Sequence, residues 1–217
     1  MFILKKNLNA FRRNVTDKIK QILTQNNRKE LTPIKIEKPS KAIDFIDFVF
    51  VENYKNVPNE TNVIYSPEEY TVGDVLSFKK WAKDNKKIPY LDLPNFALEK
   101  DIKLLKEIVE KTKINVVANN YYALTFDTEK IIGGGLNVYN SFTASEFNLP
   151  VISAESDNFN RHNFAYMTLR HCPLKSHANG NCKNCPYTDG YTLTMDSGKV
   201  MKIKRKKLST CTFYLTD

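Results

Sequence analysis

Leu8, Phe11, Val15, Ile19, Ile22 and Leu23 recur at steps of three and four. That spacing predicts a helix from about Leu8 to Gln25 with one apolar stripe. The polar stretch Asn26 to Ser40, with Pro33 and Pro39, reads as a linker. Beyond it, short apolar runs alternate with amphipathic ones. Ile46 to Val51, Asn62 to Tyr65, Ile88 to Leu93 and Ile114 to Ala118 read as strands. Thr71 to Lys83 and Asp101 to Lys111 read as helices between them, the second with Ile102, Leu105, Ile108 and Val109 on one side. Ile131-Ile132 enters a Gly133-Gly134-Gly135 turn, and Val151-Ile152-Ser153 is the last short apolar run.

Strands alternating with helices every 20–25 residues or so imply βα units and a mostly parallel sheet, hence an α/β fold. An open doubly wound sheet and a portion of a (β/α)-barrel both fit, while five or six strands are too few for a closed eight-stranded barrel. From Asn163 the alternation stops. Tyr191 to Met195 and Lys199 to Ile203 flank Asp196-Ser197-Gly198, a hairpin signal. Three segments follow: an N-terminal helix and linker over 1–32, a βα-repeat domain over 33–160, and a small cysteine-rich β-hairpin module over 161–217.

Charge sharpens that division. The chain has 217 residues and a net charge of +9. Residues 161–217 hold 10 of the 33 Lys/Arg and 3 of the 24 Asp/Glu, so +7 of the excess sits there. A local basic field suggests a polyanion, RNA being the usual candidate, and Arg170, Lys202, Lys204, Arg205, Lys206 and Lys207 are the candidate contacts. A solvated lysine-rich surface is the competing reading. No apolar run approaches the roughly 18 residues a membrane span needs, and the first residues lack the order of a signal peptide. The chain therefore reads as cytoplasmic, without a membrane partner, where clustered cysteines point to metal or redox chemistry rather than disulfides.

All four cysteines, Cys172, Cys182, Cys185 and Cys211, fall in this module, spaced C-x9-C-x2-C-x25-C. A C-x2-C pair lets two thiolates from one turn reach the same ion, and the hairpin carries Cys211 back toward it. Four thiolates suit Zn²⁺ or a [4Fe–4S] cluster, and sequence does not separate the two. His171 and His177 are alternative ligands, and His162 reads as a surface residue. The triple glycine lacks the Lys-Ser/Thr of a phosphate loop and reads as a turn. Glu155, just past a strand end, sits where parallel-sheet active sites form. No Ser/His/Asp set is readable, and no catalytic residue is assigned.

The strings Leu136-Asn137-Val138-Tyr139-Asn140-Ser141, Ser153-Ala154-Glu155, Met167-Thr168-Leu169-Arg170-His171-Cys172-Pro173 and Cys182-Lys183-Asn184-Cys185 together resemble the peptidase U32 (collagenase-like) family. The cysteine spacing resembles the C-terminal half of a long member. The resemblance implies a TIM-barrel-like βα core, here partial. It also implies a hydroxylation or peptidase activity: Fe–S-dependent hydroxylation of tRNA or rRNA, oxygen-independent hydroxylation of ubiquinone, or collagenase-like proteolysis. A [4Fe–4S] cluster on four cysteines goes with the first. RNA or protein is the implied substrate, and an N-terminal-half U32 protein or a second copy the implied partner. A metal-stabilised RNA- or partner-binding fragment without catalysis is the third reading.

Overall fold

The computed structural model describes residues 5–26, 48–54, 57, 62–138, 141–152, 165, 167–172, 185, 187 and 191–216. The chain divides into two compact units, Met1–Lys38 and Pro39–Asp217. The first contains helix α1 (Lys5–Asn26), whose stripe residues Phe11, Ile19, Ile22 and Leu23 are all exposed. The linker reading falls largely outside the described residues. From Pro39 onward, the segments read as a βα domain and a basic module lie in one unit.

In that unit, β1 (Phe48–Val51), β2 (Asn62–Tyr65), β3 (Ile88–Asp92), β4 (Asn115–Ala118) and β5 (Lys130–Ile132) form a parallel sheet in the order β1-β2-β3-β4-β5. The order runs without the reversal that a doubly wound sheet carries. Helices α2 (Val72–Asp84), α3 (Glu99–Thr112) and the short α4 (Tyr121–Leu124) connect the strands. A further short helix, α5 (Ser141–Phe147), leads to Val151, which bridges Ile132 in parallel and extends the sheet by one step.

Strand period explains how both faces are buried. Val63, Tyr65, Leu91, Leu93, Val116 and Ala118 pack with Val75 and Phe78 of α2 and Leu105, Ile108 and Val109 of α3. Their alternates Ile64, Tyr90 and Val117 turn to the other face and pack with Ile131, Ile152, Phe48 and Phe50. Apolar residues on both faces are what a parallel sheet requires. Helix α2 starts where Thr71 caps it, accepting from the Asp74 backbone N–H at 3.1 Å. Helix α3 ends at Lys113 in a left-handed conformation (φ 51°).

A second, antiparallel sheet has the order β6-β9-β8-β7, from β6 (Met167–Leu169), β7 (Thr192–Thr194), β8 (Val200–Lys207) and β9 (Cys211–Thr216). The hairpin expected around Asp196-Ser197-Gly198 is β7–β8, with Thr192 opposite Lys202 and Gly198 at φ 80°. Strand β6 and helices α4 and α5 carry no signal strong enough to have been read from sequence. Strand β6 and the two helices are short, and β6 is held by its pairing with β9, whereas β9 has six residues with an apolar run that was not read as a strand. The second sheet is tied to the first layer at several points. The Lys207 backbone N–H donates to the Glu68 carbonyl at 2.7 Å. The Ser209 backbone N–H and hydroxyl both donate to the Asp101 carboxylate, at 3.0 and 2.7 Å.

Candidate functional site

The carboxyl ends of the five parallel strands open into a cavity of about 730 Å³. Its floor is Glu52 after β1, Ser66 after β2, Asp92 at the end of β3, Asn119 after β4, and Gly134 and Gly135 after β5. Strands β8 and β9 form the opposite wall through Lys202, Lys204, Lys206, Tyr214 and Thr216. These five lie on one face of the second sheet, because they alternate along paired strands in the register Lys202↔Thr216 and Lys204↔Tyr214.

A buried polar network joins floor and wall. The Lys206 ammonium donates to Asp92 Oδ2 at 2.7 Å, Ser66 Oγ at 2.9 Å and Tyr70 Oη at 2.9 Å. All three of its protons are thereby committed to hydrogen bonds. Asp92 Oδ2 also accepts from the Ser66 hydroxyl at 2.7 Å, and Oδ1 accepts from Asn119 Nδ2 at 2.7 Å. Tyr70 donates to the Asp92 carbonyl at 2.7 Å. Lys206 is 8% exposed and Asp92 7%, so the pair is buried. Buried ions persist where such hydrogen bonds satisfy them.

Asn119 accounts for the triple glycine. Its amide also donates to the Leu93 carbonyl at 2.7 Å, and its oxygen faces the Gly135 backbone N–H at 3.4 Å. A Cβ at Gly133 would sit 2.1 Å from Asn119 Oδ1, and one at Gly135 2.3 Å from the Asn119 carbonyl. Close approach, not a positive φ, is what demands glycine at these two positions. Loops after β3 and β4 are stitched together by Tyr122, which donates to the Pro94 carbonyl at 2.6 Å, and by Asn120, which donates to the Asn95 carbonyl at 2.7 Å.

Burial pushes the Tyr70 and Tyr122 phenols well above their ordinary value, with Asp92 acting in the same direction on both. Burial also pushes Tyr214 up to about 12, against an opposing pull from Lys206. The phenols of this site therefore stay protonated and serve as hydrogen-bonding groups rather than bases near neutral pH.

The six cations read as nucleic-acid contacts fall into two groups. Lys204 pairs with Glu52 at 2.7 Å, Arg205 with Glu68, Lys206 with Asp92 at 2.7 Å and Lys207 with Glu69 at 2.5 Å. Each carboxylate comes from the first layer, so much of the basic excess of β8 is matched across the interface between the sheets. Arg170 stacks its guanidinium 3.8 Å over the Phe96 ring, and Lys202 is exposed. Arg205 also lies 4.2 Å over the Tyr187 ring, and Tyr187 stacks on Tyr191 with centroids 5.7 Å apart; both tyrosines line the cavity.

Three of the four cysteines are described. Cys211 opens β9 opposite Lys207, and with His171 and Arg170 it lines a second cavity of about 350 Å³. Cys172 lies three residues past the end of β6 and is half-buried. Cys185 is exposed and its sulfur accepts from Arg205 Nη1 at 3.3 Å. Burial would lower Arg205, but pairing with Glu68 raises it, and Cys211 and Cys185 add in the same direction. Cys182, His162, His177 and Glu155 lie outside the described residues. Among the described residues, no group of three or more His, Cys, Asp or Glu is arranged to hold a metal ion.

Sequence reasoning missed Ser66, Tyr70, Asp92 and Asn119. Three of them end or directly follow a strand, the position that singled out Glu155, and that rule applied to β2, β3 and β4 finds them. Comparison with known proteins returns no match, whether among family models, curated proteins or solved structures. No helix among the described residues is long and apolar enough to cross a membrane.

Proposed function

We propose that this chain is an RNA-modifying enzyme of the U32 type, binding a nucleotide of its substrate in the cavity over the strand ends. The observation that carries this reading is the cavity itself, at the carboxyl edge of a parallel sheet and walled by a lysine-bearing strand. Stacked Tyr187 and Tyr191 add aromatic faces on which a base can lie. The unreversed strand order, with α2, α3 and α4 contributing to one core cluster, is in keeping with a portion of a (β/α)-barrel.

The cysteines Cys172, Cys182, Cys185 and Cys211 are the proposed holders of a [4Fe–4S] cluster or zinc. Thiolate chemistry and the pairing of β6, which leads into Cys172, with β9, which Cys211 opens, support this, while the described thiols alone do not complete a ligand set. When bound, a cluster would supply one-electron chemistry; the chain's own residues bind and orient the nucleotide. The peptidase reading finds less support. Ser66 donates to Asp92 and receives a proton contact from a fully committed Lys206, which is not an activated-nucleophile arrangement.

The test is fluorescence-anisotropy binding of labelled RNA to anaerobically purified chain across a salt series, with nucleoside mass spectrometry of the recovered RNA. Binding that weakens steeply with salt, together with a modified nucleoside, is the expected result. RNA that neither binds at low salt nor changes mass, with casein cleaved instead, overturns the reading.

A further inference from the structure

Along the cavity face of β8 the lysines form a ladder at every second position. Two rungs are matched by carboxylates at the ends of parallel strands: Lys206 by Asp92 and Lys204 by Glu52. The third rung, Lys202, has no carboxylate partner among the described residues, yet it lines the same cavity. Its cross-strand neighbour is Thr216. Thr216 is 1% exposed, lines the cavity, and its hydroxyl has no hydrogen-bond partner among the described residues. One rung along, Tyr214 lines the same cavity.

A buried hydroxyl with no partner, as at Thr216, is costly for the empty protein, whereas the exposed Lys202 is already hydrated. An oxyanion that accepts from both satisfies the hydroxyl and pairs the cation. We infer that Lys202 and Thr216, flanked by Tyr214, form an anion subsite that takes a phosphate group of the bound nucleotide. This rests on the nucleotide reading of the cavity. Side chains directly opposite on paired strands stand about 5 Å apart at Cβ, a span that one phosphate bridges. The other rungs are excluded from this role because Asp92 and Glu52 already occupy them.

The test uses the full chain and calorimetric titration with a nucleoside 5′-monophosphate, the matching nucleoside, inorganic phosphate and acetate. The monophosphate should bind at least about tenfold more tightly than the nucleoside, as befits a hydrogen bond to a charged group. Thr216→Val and Lys202→Gln should each weaken monophosphate binding about tenfold. Lys103→Gln, on the exposed face of α3, should leave it unchanged. Thr216→Val should also melt at the same temperature or higher, since it removes an unsatisfied buried hydroxyl without changing shape.

Equal affinity of nucleoside and monophosphate, unaltered phosphate binding by Thr216→Val, or a lowered melting temperature for that variant overturns the subsite. Acetate competing as well as inorganic phosphate makes it a carboxylate site and overturns the phosphate assignment. If the monophosphate binds as described but RNA does not compete, the subsite stands and the RNA reading fails. If RNA binds with the same salt slope in Lys202→Gln as in the parent, the subsite fails and the RNA reading stands.

Discussion

Replacing Lys206 by methionine is the most discriminating perturbation of this fold. The ammonium is buried and makes three hydrogen bonds, to Asp92, Ser66 and Tyr70. Methionine fills the space but leaves the Asp92 carboxylate buried with only Ser66 and Asn119 as side-chain donors. Breaking one side of a buried, hydrogen-bonded pair costs about 3–5 kcal/mol. For a chain of this size that corresponds to a melting temperature lower by about 6–20 °C. Asp92→Asn should cost a comparable amount, because the ammonium then loses its counter-charge. The double variant Lys206→Met/Asp92→Asn removes both charges, and Asn can still accept from Asn119 and donate to Ser66. Its loss should fall short of the sum by about 2 kcal/mol or more. Urea unfolding followed by the fluorescence of Trp81, the sole tryptophan, which packs on Phe78 with ring centroids 6.1 Å apart, reads the four-variant cycle. Additivity within about 0.5 kcal/mol would refute the claim that this pair joins the two sheets.

Other consequences are open to simple measurements. Gly135→Ala should destabilise by about 1–3 kcal/mol, because its Cβ would meet the Asn119 carbonyl at 2.3 Å. Gly73→Ala, in α2 with only Thr71 Oγ1 at 4.0 Å, should instead stabilise by about 0.5–1 kcal/mol; thermal melts of the two variants compare them directly. Thr71→Ala should cost about 1 kcal/mol by removing the cap of α2, visible as a lower urea midpoint with an unchanged slope. Burial raises the phenols of Tyr65 and Tyr214 to about 12. An unfolded tyrosine ionises near 10, so between about pH 10 and 12 the folded chain holds protons that the unfolded chain has lost. Stability from these groups is thus intact below about pH 10 and falls as the pH rises. Tyr65→Phe should flatten that fall in a pH series of urea titrations, and an unchanged slope would count against it.

The parallel unit was readable because its information is local. Ile64 and its neighbours Val63 and Tyr65 are apolar in succession, as a strand buried on both faces must be, and the stripe of α3 follows the helical period. The fate of Lys206 was not readable. The run Lys202-Ile203-Lys204-Arg205-Lys206-Lys207 has the composition of a solvated edge, and nothing near it announces Asp92, which lies 114 positions upstream. Burial of that lysine is decided wholly by a long-range pairing. The triple glycine was rightly read as a turn, yet its cause is the bulk of Asn119, which only the packed structure brings there. Strand β9 has an apolar run, Phe213 to Leu215, and pairs with β8 through a tight hairpin, but its other partner, β6, lies about forty residues upstream.

That central place of β9 orders events during synthesis. Strands β6, β7 and β8 are all made earlier, yet β6 hydrogen-bonds to none of the others except β9. On the ribosome, β1 to β5 can pair in sequence as each emerges, while β6 waits for a neighbour roughly forty residues behind it. Tyr214, Thr216 and Cys211 are therefore synthesised after every segment of the crevice floor, and the wall that faces it is the later half of the site to be made.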